Sequence, residues 1–243
     1  LKSVERAIAE HSKSLIVMNK LSQKTLVTDY KIPKYKIAII PHGIPSATFE
    51  PSDISKEKLG LSGKTVLSPF GMLSPNKGIE YAIRALPEVI KQFANIVYLV
   101  LGETHPLIRK SDGEQYRNFL ISEVGRLGLD KNVKFYNKYL TLEEIVSFLK
   151  ATDIYIGPSL DMQQSVSGTL SYALGCGRPI ISTGSEYARY LIDSSVGLLV
   201  KPKNDRALRD AILQMLQDPR WMKSLGAQAY EKSRHMTWPN VAG

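Results

Sequence analysis

Lys77 stands in the segment FGMLSPNKGIE, between Gly71 and Gly78 and just ahead of a stretch with helical apolar spacing. A helix start carries partial positive charge and repels a cation, so a lysine there fits best when an anion shares the site. By position alone a surface lysine at a turn is the commoner reading, and the spacing is not that of a Walker A loop. A second cluster lies in PSLDMQQSVSGTLSYALGCG, where Ser165, Ser167, Gly168 and Thr169 precede a helix. Ser167 suits an N-cap, which leaves the backbone amides of Gly168, Thr169 and Leu170 for a phosphate; an ordinary capped helix is the alternative. Two anion-seeking helix starts on one sheet edge suit a diphosphate better than a single phosphate.

Other reactive residue types weigh less. His42 in PHG satisfies a turn or serves a site, and Glu103 in LGETHP follows a strand end that could face a cleft. The adjacent Glu143 and Glu144 read as the exposed first turn of a helix. No Ser/His/Asp order, metal triad or nucleophile elbow anchors hydrolase chemistry. The single cysteine, Cys176, cannot form an internal disulfide and reads as core. No Cys/His pair has metal-ligand spacing, so the expectation is a reducing compartment, the cytoplasm, with neither structural zinc nor another metal.

These residues sit on a regular alternation that begins at Lys64. TVLSPF, IVYLVLG, NVKFY, DIYIG, RPIIST and VGLLV are short, β-branched runs, each followed by an amphipathic stretch. In IEYAIRALPEVIKQF the residues Ile79, Ala82, Ile83, Leu86, Ile90 and Phe93 share one helical face, with Pro87 expected to kink the helix or mark its boundary. About six strand and helix units predict an α/β fold with a doubly wound, Rossmann-like parallel sheet. Ligands of such sheets lie at the carboxyl ends of the strands, where both candidate clusters fall. Ahead of it, residues 1–45 contain SLIVM, a short helix from Lys20 to Tyr30, and KIAII. Residues 46–63 read as an irregular linker, and 64–243 as the main domain.

The 243 residues are 43% hydrophobic and 23% charged, which excludes disorder, and no apolar run reaches the ~18 residues of a membrane helix. The opening LKSVERAIAE lacks an apolar segment and an initiator Met, so it reads as no signal peptide and as part of something longer. The net charge of +9 divides into +4 over residues 1–60, +1 over 61–200 and +4 over 201–243. A nearly neutral centre without a basic stripe argues against nucleic-acid binding, and basic ends leave weak attraction to an anionic membrane surface open.

IIPHGI, FGMLSPNKG, LGETHP, the segment from PSL to GCGRPIIST and the late GLLV together resemble the glycogen-synthase-like retaining glycosyltransferases of group 1. The resemblance covers nearly the whole chain. It implies the C-terminal half of a GT-B architecture, in which two Rossmann-like domains face a cleft: residues 64–243 would bind a nucleotide-sugar donor, and 1–45 would end the acceptor domain. It further implies hexosyl transfer with retention to a sugar, polysaccharide or lipid-linked acceptor, with no cofactor besides the nucleotide-sugar. Position by position, Lys77 matches the basic residue on the donor diphosphate, and Gln164 falls where a glutamate touches the donor sugar. Val166 to Thr169 match the phosphate cradle, with Ser165 beside it. Gly71, Met72 and Glu103 are implied to line the donor site, and Phe135 to Tyr139, with Asn137 at their centre, the loop that meets the base. This chain departs from the family pattern at three places. The two family glutamates are Gln164 and Tyr172, and the arginine usual after the first glycine is Met72. An amide carries no charge, and a phenol offers one bond where a carboxylate clasps two hydroxyls. A degenerate, non-catalytic nucleotide-sugar-binding module is therefore the alternative, and Lys138 or Arg189 would have to supply the cation that Met72 lacks.

Overall fold

A computed structural model describes residues 2–243. The chain opens with helix α1 (Lys2–His11), strand β1 (Leu15–Val17), helix α2 (Lys20–Thr28) and strand β2 (Ile37–Ile39). β1 and β2 pair in parallel around a small core of Ala9, Ile32 and Ile37. Helix α3 (Ser52–Lys58) follows, in the stretch expected to be irregular throughout. Long-range partners explain this correction. Buried Lys56 meets Asp153 at 2.8 Å, and Leu61 is buried just beyond, neither of which the local pattern reveals.

The main body then alternates without interruption: β3 (Thr65–Ser68), α4 (Ile79–Gln92), β4 (Ile96–Leu101), α5 (Pro106–Asp112), α6 (Gln115–Arg126) and β5 (Val133–Tyr136). It continues with α7 (Leu142–Ala151), β6 (Ile154–Gly157), α8 (Gly168–Gly175), β7 (Ile180–Thr183), α9 (Glu186–Leu191) and β8 (Gly197–Val200). The last three helices are α10 (Asp205–Gln217), α11 (Pro219–Ser233) and α12 (Trp238–Ala242). The six strands β3 to β8 form one parallel sheet in the order β5-β4-β3-β6-β7-β8. This is the doubly wound arrangement the alternation predicts, and its order reverses between β3 and β6. At such a reversal, consecutive connections leave toward opposite faces and open a crevice above the strand ends.

Helices on both faces bury the sheet, and every residue of β4 is buried, so its uninterrupted apolar run has a direct cause. On one side Ile83 and Leu86 of α4 pack with Leu120 of α6 and Ile212 of α10. On the other, Leu170 and Leu174 of α8 pack with Tyr155, Ile180 and Ile44. α4 does not end at Pro87 but runs on to Gln92. An interior proline costs about 3 kcal/mol. Each large side chain buried on that face returns about 1.5–3 kcal/mol, and Val89 beyond the proline is fully buried with Leu86 before it. The chain finally returns to its first part. Ile44 bridges Thr237, and Trp238 donates its backbone N–H to Ile44 O at 2.9 Å. No helix among the described residues is long and apolar enough to cross a membrane.

Candidate functional site

Three loops meet above the crevice between β3 and β6. The loop after β3 is stitched to the loop after β4 by Gly71 N–H to Leu101 O at 2.9 Å, Leu73 N–H to Glu103 O at 2.8 Å and His105 N–H to Leu73 O at 2.9 Å. The loop after β6 is tied to the first of these by Leu160 N–H to Asn76 O at 2.7 Å. They border a cleft whose wall includes Gly71, Lys77, Gln164, Ser167 and Thr169. The structure thus brings together residues that the sequence scatters over more than ninety positions. Ser182 and Ser185, from the end of β7 and the start of α9, also line it; nothing in their sequence context signalled this.

Lys77 closes a 3₁₀ turn whose cap, Gly78, has φ +64°. Burial lowers the Lys77 pKa from its ordinary value and the charge of Asp161 opposes that shift, yet among the described residues no carboxylate forms an ion pair with it. A half-buried ammonium without a close counter-ion is stabilised by any anion that enters the cleft. The helix-mouth argument needs one refinement, because the first amide of α4, Ile79 N–H, already donates to the Tyr116 hydroxyl at 3.1 Å. That hydroxyl donates in turn to Glu80 at 2.6 Å.

Opposite Lys77, Ser167 caps α8 as its sequence suggests, its Oγ accepting Leu170 N–H at 3.4 Å. Leu170 N–H is therefore engaged and not open to a ligand. The amides of Gly168 and Thr169 take no partner among the described residues and carry the positive end of the α8 dipole. Thr169 abuts the β3 loop so closely that a Cβ on Gly71 would lie 3.2 Å from its Cγ2.

The remaining sequence candidates divide by place. Met72 and Glu103 line an adjoining recess with Lys138 and Tyr139, sharing Gly71 with the main cleft. Glu103 is held by Arg109 at 2.8 Å and Lys138 by Glu144 at 2.5 Å. Arg189 donates to the Gly184 carbonyl and lines neither space. Asn137 is exposed and lines neither space. Tyr172 also lies outside both linings. Its ring stacks on Phe70 at 6.0 Å and meets His42 and Trp238 edge-on, and burial raises its phenol pKa. Ser165 and Val166, in the loop ahead of α8, and Gly168, its first residue, do not line the cleft, although their neighbours Gln164, Ser167 and Thr169 do. His42 lies in an irregular segment rather than a turn, Nδ1 donating to Gly43 O at 2.9 Å and the ring packing on Gly168 at the start of α8. Cys176 is fully buried and its thiol is pushed up to about 11, consistent with core. Glu144 completes a capping box with Thr141, so its partner Glu143 sits in the first turn of α7 as read.

The sequence comparisons point to one family, and the solved structures share the fold. The sequence profile of the family described as "Glycosyl transferases group 1" matches residues 51–232. The alpha-monoglucosyldiacylglycerol synthase of Streptococcus pneumoniae is 30% identical over 202 residues, 79% of this chain and 42% of that protein. The phosphatidyl-myo-inositol mannosyltransferase of Mycobacterium leprae is 28% identical over 181 residues, 74% of this chain and 44% of that protein. Among solved structures, Anabaena Alr3699/HepE in complex with UDP superposes with a TM-score of 0.83 at 23% identity, covering 99% of this chain and 64% of that one. The chain spans about half the length of the curated relatives it matches.

Proposed function

The chain belongs to the group 1 glycosyltransferases, and we propose that its cleft is the donor half of the transferase site, binding a nucleotide-sugar for retaining hexosyl transfer. The carrying observation is the pairing, across one cleft, of a half-buried Lys77 that makes no ion pair among the described residues with the start of α8, where Ser167 and Thr169 line the wall and the Thr169 amide takes no partner. The diphosphate lies between them, its charge met by the ammonium and the helix dipole. As the bond from the anomeric carbon to the phosphate oxygen breaks, negative charge grows on the leaving nucleoside diphosphate. Groups already aimed at it stabilise that charge without reorganising, which lowers the barrier.

Gln164, on the cleft wall, hydrogen-bonds a donor-sugar hydroxyl through its amide. The recess lined by Lys138 and Tyr139 takes the base, since it opens from the same Gly71 that borders the phosphate site. The acceptor hydroxyl, on a sugar, a polysaccharide or a lipid-linked sugar, is presented by residues beyond this half, and no general base is needed from the residues described. Residues 1–45 close the acceptor unit, 46–63 connect, and 64–243 form the donor domain. Their separate two-stranded sheet supports that division. The basic ends support loose association with an anionic membrane surface, and a single cysteine, which can form no internal disulfide, supports a cytoplasmic enzyme.

Because the relatives are about twice as long, these 243 residues bind donor without completing transfer. Incubation with UDP-glucose or GDP-mannose and a sugar acceptor, followed by product chromatography, is expected to give no transfer above background. Sustained transfer would contradict the assignment of this chain to the donor half alone.

A further inference from the structure

Asn19 is fully buried although it belongs to the small first sheet unit, far from the cleft in sequence. Its two polar atoms face two different structures. Oδ1 accepts the backbone N–H of Ser22 at 2.7 Å and so caps α2. Nδ2 donates to the carbonyl of Ser165, 146 positions away, at 2.6 Å. The orientation of the amide is fixed by chemistry, since a backbone N–H can only donate and a carbonyl can only accept.

Ser165 lies between Gln164, on the cleft wall, and Ser167, the cap of α8. The surrounding loop has other holds, from Glu186 N–H to Met162 O and from Tyr187 N–H to Gln164 O, both at 3.0 Å, but these come from the same domain. Asn19 reaches it from outside. A second contact arrives from the same side, since the His42 ring packs so tightly on Gly168 that a Cβ there would sit 2.9 Å from Nε2. The first forty-odd residues therefore touch both the loop and the first residue of the helix that would cradle the diphosphate.

We infer that Asn19 is a positioning residue for the donor site: it orients the Ser165 peptide, and through it Gln164 and the entry to α8, so that donor grip depends on contact with the first unit. This rests on the donor reading above. An unpaired carbonyl at such a contact, and a loop released from it, weaken binding by about tenfold.

Asn19→Ser separates this role from capping. Serine caps helices about as well as asparagine, yet its hydroxyl is too short to cap α2 and also reach Ser165. Asn19→Asp keeps the cap and sets a carboxylate oxygen against the carbonyl. Asn204→Ser, at the cap of α10, is the control for a generic cap change. Two measurements are made on the 243-residue chain: amide hydrogen exchange over residues 163–168 without nucleotide, and calorimetric affinity for UDP, GDP and ADP. We expect both Asn19 variants to exchange faster in that loop and to bind the preferred nucleotide about tenfold more weakly, with α2 protection and Asn204→Ser unchanged. Unchanged affinity in both variants, whatever the exchange, would overturn the inference while leaving the donor site intact. If the unaltered chain binds none of UDP, GDP and ADP, the donor reading itself falls, and faster exchange would then reduce Asn19 to a structural tether.

Discussion

Met72 sits beside Gly71 at the rim where the recess joins the cleft, about a third exposed, with room for a longer side chain. An arginine there adds a second, forked cation beside Lys77 at the proposed diphosphate site. Met72→Arg is expected to tighten UDP or GDP binding by roughly fivefold at low salt, with the gain shrinking as ionic strength rises. Equal affinities at 20 mM salt would contradict a diphosphate at this rim. Lys138, the candidate substitute cation, already belongs to Glu144, so any help it gives comes at the expense of that pair. At this scale the sequence was informative where a residue's chemistry is local: Lys77 before a helix, Ser167 as a cap, Cys176 as core. It was silent where position depends on packing. Tyr172 occupies a family site position but stacks into an aromatic group with Phe70, His42 and Trp238, the last contributed by the far end of the chain.

Among the elements, the turn ahead of α4 carries the tightest demand. Gly78 adopts φ +64°, and a Cβ there would collide with the carbonyl oxygen of Pro158, on the loop that forms the facing wall. Gly78→Ala therefore costs about 1–3 kcal/mol for the backbone conformation alone and more for displacing the wall. The comparison is Gly128→Ala, with φ +66° at the end of α6 and open space around it. Gly78→Ala is expected to lower Tm by several degrees more than Gly128→Ala, at about 2–4 °C per kcal/mol, and to weaken nucleotide binding with it. Equal Tm losses would show that the two walls can part without penalty. The elements themselves were largely legible, because a parallel sheet buried on both faces writes short β-branched runs between amphipathic helices, and every such run from Thr65 onward is a strand. α3 and the passage of α4 through Pro87 were not, since burial and the Lys56–Asp153 pair decide them and both involve distant chain.

For the molecule as a whole, the strand order places the reversal between β3 and β6, so the loops bearing Lys77 and Ser167 converge above it. The alternation predicted that both clusters lie at strand ends; it carried no information on strand order, nor on the reach of Asn19 across the chain, which only the folded path creates. The central claim is that this convergence holds a nucleoside diphosphate. Calorimetric titration of the chain with UDP, GDP and ADP, beside a Lys77→Ala variant, tests it most directly. The account predicts that one nucleotide binds selectively and that Lys77→Ala weakens it at least about tenfold, the loss of a charge-assisted contact to phosphate. Binding that is indifferent to Lys77, or no binding by any of the three, would contradict it.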